Sequence, residues 1–208
     1  MTNSQFWGID SPIYGNHGTV DGRDGFIYLF GALGANSPNY NESTNFLARV
    51  PFSNPTDYWA YTYWDGASWS NTPLSNPQTD GAAPASIIKG APQGSVIWSN
   101  HYNQFMYLYP GPFFSNGKPH QDSPILKPHI SPAKSQKNAK TNKIIAILAV
   151  TSSSLTGPWS EPITLYTGDT QYYAPVAQPH YDVSGKTLAV SMSVFEPEFM
   201  VSVVVDFD

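Results

Sequence analysis

The sequence predicts an all-β, propeller-like protein of about three antiparallel blades, which is a partial or open form of a five-bladed propeller. Two observations lead to this class. A unit of strand, polar turn and aromatic strand occurs three times, and each copy is followed by a further short apolar strand, a pattern typical of propeller blades. The composition is also that of a turn-rich β protein, with 14% aromatic and only 12% charged residues, 19 prolines and 16 glycines.

The stretch from Gly94 to Tyr109 is the clearest copy of this unit. Ser95 to Ser99 is the first predicted strand, residues 100–104 are a polar turn, and Phe105 to Tyr109 is a return strand rich in residues that suit a pleated surface. Alternation places two aliphatic side chains on one face of the return strand and three aromatic rings on the other. Both faces are apolar, so we expect this hairpin to lie between other sheets.

The rest of the chain follows the same plan. The other hairpins and the strands that follow each copy are predicted at Gly18 to Gly31, Pro175 to Val194, Phe46 to Val50, Ile144 to Val150 and Val201 to Phe207. Two copies add a fourth strand near a tryptophan: Tyr58 to Tyr63 before Trp69, and Pro162 to Tyr166 after Trp159. We therefore expect one domain over residues 1–208, with blades at about 11–69, 86–166 and 172–208.

Two shorter segments complete the predicted fold. Asp65-Gly66 is a tight-turn signal, and we expect the tryptophans on either side of it to pack between blades. Phe6 to Ile9 is an apolar segment near the N-terminus. In a closed unit it would pair with Val201 to Phe207, because so apolar a strand is unfavourable as a bare edge.

Charge and composition also narrow the range of partners. The net charge is −5 and the pI is about 5.4, which argues against nucleic acid as the main partner. No apolar run reaches the length of a membrane span, and no cysteine is present for disulfides or thiolate metal sites. The first ten residues lack the basic start and apolar core of a signal peptide. Exposed blade faces would favour self-association.

Residues 110–143 form the longest segment without a strand pattern. They contain six of the ten Lys and Arg residues. The segment is interpreted either as a solvated loop or as a cationic flap for an anionic ligand. Because it has few large apolar side chains, we expect it to be the least ordered part of the chain.

Several segments, in this order, resemble a known family. They are IYLFG at 27–31, FLARVP at 46–51, YTYWDGASW at 61–69, SSSLTGPWSEPITLY at 152–166, YYAPVAQPHYDVSGKTLAVSMS at 172–193 and VVVDF at 203–207. The set resembles the DUF4185 domain, which is similar to five-bladed β-propeller glycoside hydrolases such as arabinanases. The resemblance implies a C-terminal portion of such a propeller, an extracellular setting and activity on an arabinan-type or related polysaccharide. The alternatives are a catalytically inactive sugar-binding module and a truncated structural remnant.

Glycoside cleavage by such a protein would need two carboxylates about 5–10 Å apart. Asp10 and Asp169 each precede a predicted inner strand, on the face of the propeller where the long loops would lie, and they are our candidate catalytic pair. Glu196 is a third candidate, and Asp80 lies on the same predicted face. Each aspartate could instead serve a turn, a common role for this residue type.

Three further residues are candidates for sugar binding. Trp7 and Tyr172 have aromatic rings that could stack on sugars, and His17 could bind a hydroxyl group or tune a carboxylate. Packing and structural hydrogen bonding are the alternatives for Tyr172 and His17. No cofactor is predicted. A channel Ca²⁺ held by carboxylates and carbonyls is compatible with this chemistry, although no loop motif requires one.

Overall fold

The computed structural model describes residues 5–7, 13–14, 24–33, 44–72, 88–89, 94–111, 145–168, 172–194 and 199–208. Across these residues, strands form three antiparallel sheets, so the predicted all-β class is confirmed and the sheets are consistent with a partial, propeller-like fold. Two compact units result. One lies within Met1–Pro92 and Ser152–Trp159, and the other within Gln93–Thr151 and Ser160–Asp208.

The first sheet contains seven strands of the described residues. Its strands are β1 (Gln5–Trp7), β2 (Ile13–Tyr14), β3 (Phe26–Leu33), β4 (Thr44–Pro51), β5 (Thr62–Trp64), β6 (Trp69–Ser70) and β7 (Ile88–Lys89). They lie in the order β1-β3-β4-β5-β6, with β2 paired to β3 and β7 paired to β4. The short strands β1 and β2 pair along one edge of β3, and β4 pairs along the other. On its far edge, β4 pairs with β5 and β7, and β6 lies outside β5.

The second sheet contains the predicted central hairpin. Its strands are β8 (Ser95–Ser99), β9 (Gln104–Pro110), β10 (Ile145–Ser152) and β11 (Ile163–Gly168), in the order β11-β10-β9-β8. Asn103 closes the turn with a φ of 52°, a conformation that asparagine tolerates better than most residues. Phe105 to Tyr109 are at most 3% exposed, so the prediction that both faces of this strand are covered is confirmed.

The third sheet is a meander of β12 (Tyr172–Gln178), β13 (Thr187–Val194) and β14 (Phe199–Asp206). Its first turn is the one predicted at residues 182–185. Gly185 donates its N–H to the Asp182 carbonyl at 3.0 Å and has a φ of 74°, a region that favours glycine. Met200 and Val204 on β14 are 71% and 46% exposed, so one face of this sheet carries apolar side chains in solvent.

The second and third sheets share one hydrophobic core. It includes Met106, Leu108, Ile147, Ala149, Leu165, Tyr172, Ala177, Leu188, Val190, Met192, Val194 and Val205. A buried hydrogen bond from the Ala177 N–H to the Ser95 hydroxyl, at 2.9 Å, joins β12 to β8. Close packing over this many side chains fixes the two sheets against each other within the unit.

Three details differ from the sequence predictions. Residues 58–63 were predicted as a strand, but Tyr58–Ala60 form a 3₁₀ turn and β5 begins only at Thr62, because the Asp57 carboxylate caps the turn. Residues 88–89, expected in the second blade, pair with β4 in the first sheet. Gln5–Trp7 were expected beside β14 in a closed unit, but they pair with Gly31–Leu33 of β3. A local apolar pattern indicates that a segment forms a strand, but it does not determine which strand it pairs with.

The predicted disorder of residues 110–143 falls almost entirely outside the described residues.

Candidate functional site

Tyr172, a predicted sugar-binding residue, begins β12 and lies in the core. It is 6% exposed, its ring packs edge-on to Tyr166 at 5.5 Å, and the two hydroxyl groups are 3.3 Å apart. Gly168 leaves room for the Tyr172 ring, because a Cβ atom at residue 168 would overlap that ring. The ring has little surface left for a sugar, so its position supports the packing role that the sequence left open.

The backbone just beyond Tyr172 is strained. The register of β12 against β13 shifts between Tyr173 and Val176, and Ala174 within this bulge has a φ of 48°. A left-handed conformation costs a residue with a Cβ atom about 1–2 kcal/mol. Bulges and strain of this kind cluster next to functional sites. Tyr173 is 37% exposed at this point, so the start of β12 presents an aromatic side chain to solvent.

The predicted carboxylates Asp10, Asp169 and Glu196 lie outside the described residues, as do Asp80 and His17. Trp7 is the last residue of β1, and its backbone pairs with Gly31. The strand bounds nevertheless locate two of the carboxylates along the chain. Asp10 comes three residues before Ile13, where β2 begins, and Asp169 comes three residues before Tyr172, where β12 begins. Their catalytic roles remain predictions.

The turn that precedes β13 contains a carboxylate and a small pocket. Asp182 accepts hydrogen bonds from the Ser184 N–H at 2.9 Å, the Ser184 hydroxyl at 2.7 Å and the Thr187 N–H at 3.0 Å. The Ser184 hydroxyl and these backbone donors hold the Asp182 pKa below its ordinary value. The adjoining pocket, lined in part by Asn100 and Phe207, has a volume of about 40 Å³. The pocket is far smaller than the roughly 300 Å³ or more of a ligand site. The Asp182 carboxylate therefore has a structural role, which is to stabilise the turn.

A group of aromatic side chains surrounds Arg49 on one face of the first sheet. The guanidinium carbon lies 4.1 Å from the ring centres of both Phe26 and Trp69, and its Nε donates to the Thr62 hydroxyl at 3.3 Å. Next to it, Tyr28 donates its hydroxyl to Asp24 at 2.7 Å. Burial, aided by this hydrogen bond to Asp24, raises the pKa of Tyr28 to about 12. The cation is fully engaged by these groups, which indicates a structural role.

The loop from Phe52 to Tyr61, which we call the aromatic loop, carries Trp59, the most exposed aromatic side chain of the described residues, and two other exposed rings. Trp59 is 85% exposed, Tyr58 59% and Phe52 49%. The Tyr58 and Trp59 rings lie 5.2 Å apart and nearly perpendicular, at 83°. In this edge-to-face pair, a flat, partly apolar ligand can stack on one exposed ring and contact the other ring at its side.

Hydrogen bonds hold the aromatic loop in a defined shape. Asp57 accepts from the Trp59 N–H at 2.9 Å through one oxygen and from the Asn54 amide at 3.1 Å through the other. The Tyr61 hydroxyl donates to the Pro55 carbonyl at 2.9 Å. The rings of Tyr58 and Trp59 are therefore presented by an ordered turn, which reduces the entropy lost on binding a ligand.

Trp59 is not among the functional residues that the sequence predicts. Aromatic alternation over residues 58–63 predicted a strand, in which half of these side chains would be covered. A turn signal was nevertheless present in Asn54-Pro55-Thr56-Asp57, since Pro and Asp favour turns and Asp caps the N–H groups that follow. That signal separates Trp59 from the strand and leaves it at a loop tip.

Other kinds of site are not seen in the part of the chain that the structure describes. No group of three or more His, Asp or Glu side chains there is placed to hold a metal ion. Within the same residues, no helix has the length and apolar character to cross a membrane. Comparison with known proteins finds no matching family model, and no curated protein matches the chain significantly.

Proposed function

We propose that the chain is a carbohydrate-active protein, similar in architecture to propeller glycoside hydrolases of the DUF4185 type, that acts on an arabinan-type or related polysaccharide. The observation that carries this proposal is the packing of β12 against β8 and β9. The first strand of the third sheet thereby lies against the hairpin that begins the second sheet. Radial repetition of such sheets, each led by an inner strand, is how propellers are built.

The chemistry of the proposed reaction requires two carboxyl groups. One protonates the leaving oxygen, and the other acts as a nucleophile or activates a water molecule. Asp10 and Asp169 are the proposed pair, since each precedes by three residues a strand at an edge of its sheet, β2 and β12. Glu196, two residues after the end of β13, is the proposed alternative acid. The strained bulge at Ala174 lies close in sequence to Asp169, which supports a functional role for that end of β12.

The test is release of reducing ends from a panel of polysaccharides that includes arabinan. Loss of a general acid or base typically lowers the rate by about 10²–10⁴-fold, so we expect at least a hundredfold loss in Asp10→Asn and Asp169→Asn. Asp206→Asn is the matched control, because the Asp206 carboxylate accepts only a surface hydrogen bond from Thr187 at 2.9 Å. Equal activity in all three variants would refute the assignment of the pair.

A second function, a sugar-binding module without hydrolytic activity, is favoured by the aromatic loop. Trp59 and Tyr58 can bind a saccharide without the help of any carboxylate. Binding of a polysaccharide with no release of reducing ends would identify this function. A chain that neither binds nor cleaves any member of the panel would refute both proposals.

A further inference from the structure

The exposure of Trp59 needs a physical reason. Burying a large aromatic side chain is favourable by about 2–3 kcal/mol, yet this indole is 85% exposed and its neighbour Tyr58 is 59% exposed. Contiguous apolar surface of this kind marks interaction sites on soluble proteins. The hydrogen bonds of Asp57 and Tyr61 fix the loop around these two rings, so their exposure is a feature of an ordered structure.

The charges around the rings indicate the class of ligand. Residues 50–72 contain no Lys, Arg or His, and their only ionisable acidic side chains are Asp57 and Asp65. A phosphate-rich surface, whether nucleic acid or anionic lipid, would find no cation among these residues. An uncharged ligand with one flat C–H face and a rim of hydroxyl groups fits better. Exposed Ser53 and Thr56 lie in the same loop as partners for hydroxyl groups.

We propose that Trp59 and Tyr58 form a stacking platform for a neutral saccharide unit. This inference rests on the proposed carbohydrate-directed function and names a binding site for it. The platform contributes to the affinity of the protein for the polysaccharide.

The experiment compares binding of soluble arabinan and the other panel polysaccharides by Trp59→Ala, Tyr58→Ala and the wild-type chain, using affinity electrophoresis and calorimetry. Tyr181→Ala is the matched control, because Tyr181 is a 61% exposed aromatic residue on a loop of the other unit. Removing a central aromatic anchor weakens binding by about tenfold or more. We expect that loss in Trp59→Ala, a smaller loss in Trp59→Phe, and no change in Tyr181→Ala. The melting temperature should stay unchanged in Trp59→Ala, because the indole is 85% exposed.

The outcomes separate the two proposals. If the wild-type chain binds the polysaccharide and Trp59→Ala binds equally well, the platform is refuted and the proposed function stands. If the wild-type chain releases reducing ends but binds no polysaccharide, the platform alone is refuted. If it neither binds nor cleaves any member of the panel, both proposals are refuted. Sedimentation that shows Trp59-dependent self-association, or Trp59-dependent binding to phosphatidylserine vesicles, would assign the rings to another partner and would also refute the platform.

Discussion

The cation–aromatic cluster around Arg49 allows a quantitative prediction for the first sheet. Tyr28 lies directly opposite Arg49 in the β3–β4 pairing, and Thr62 lies opposite it in the β4–β5 pairing. The guanidinium therefore joins three neighbouring strands, and with Trp69 it reaches the fourth. Substitution by Met keeps most of the apolar stem and removes the charge and the planar group, so Arg49→Met isolates the head-group interactions.

The expected loss follows from the contacts. A cation–π pair contributes about 0.5–1 kcal/mol when exposed and about 2 kcal/mol when desolvated. Arg49 is half-buried and lies 4.1 Å from two ring centres, so the two pairs contribute about 2 kcal/mol together. The hydrogen bond to Thr62 is long, at 3.3 Å, and contributes about 0.5 kcal/mol. We expect Arg49→Met to lower the free energy of unfolding by about 2–3 kcal/mol, which is roughly 4–12 °C in melting temperature for a chain of this size.

The assay is thermal and urea denaturation followed by near-ultraviolet circular dichroism. Arg49→Lys should recover only part of the loss, because an ammonium group keeps the charge without the planar stacking surface. Lys186→Met is the control for removal of a surface cation. A double-mutant cycle with Trp69→Leu should give a coupling energy of about 1 kcal/mol. A coupling near zero, or a loss in Arg49→Met no larger than in the control, would refute the role of the cluster.

Three other outcomes can be measured on the same material. Gly185→Ala should destabilise the chain more than Gly25→Ala. Both glycines have positive φ, at 74° and 79°. Of the two, Gly185 is the position where an added Cβ atom would lie 2.8 Å from a backbone atom, the His101 nitrogen. Tyr28, whose pKa is raised to about 12, contributes stability that is complete below pH about 10 and is lost as pH rises towards 12, so Tyr28→Phe should reduce this alkaline loss in a pH series of urea midpoints. The Asp65 pKa is lowered by hydrogen bonds from the Ala67 and Ser68 N–H groups, so its contribution is present above pH about 4 and is lost on acidification. Asp65→Asn should flatten the acid side of the same series.

The parts of the fold that depend on local patterns could be predicted from the sequence. The hairpin of Ser95–Ser99 with the aromatic strand after it, and the turn at residues 182–185, follow from period-two alternation and from turn residues that tolerate positive φ. The hairpin of Trp64 and Trp69 was also marked by its Asp-Gly pair, and the structure pairs these two tryptophans across β5 and β6. Each of these features is decided within about fifteen residues.

Features that depend on distant partners could not be predicted in this way. The segment Gln5–Trp7 has an apolar strand pattern that fits either β3 or β14, and only the energetics of the whole sheet selects β3. Trp59 is a different case. Its local pattern contained both a strand signal and a turn signal, and the capping carboxylate of Asp57 decided in favour of the turn. The exposure that makes Trp59 a candidate binding residue follows from that choice.

The predicted catalytic aspartates can now be weighed against the aspartates that the structure describes. Carboxylates that accept hydrogen bonds from neighbouring N–H or hydroxyl groups are those of Asp24, Asp57, Asp65, Asp182 and Asp206. Stabilising a turn or a strand end is thus the common role among the aspartates that the structure describes, and it is the alternative to the catalytic role for Asp10.

The two roles of Asp10 predict opposite results for one variant. A turn aspartate stabilises the fold by about 1 kcal/mol through its hydrogen bonds, so Asp10→Asn would lower the melting temperature by roughly 2–4 °C and leave the activity of the folded protein unchanged. A catalytic Asp10 would give the reverse: at least a hundredfold loss of reducing-end release with a melting temperature close to that of the wild-type chain. Asp65→Asn provides the reference for a turn aspartate, because its carboxylate accepts two backbone N–H groups at 2.9 and 2.7 Å. If Asp10→Asn behaves like Asp65→Asn in both measurements, Asp10 is a structural residue and the proposed catalytic pair is wrong.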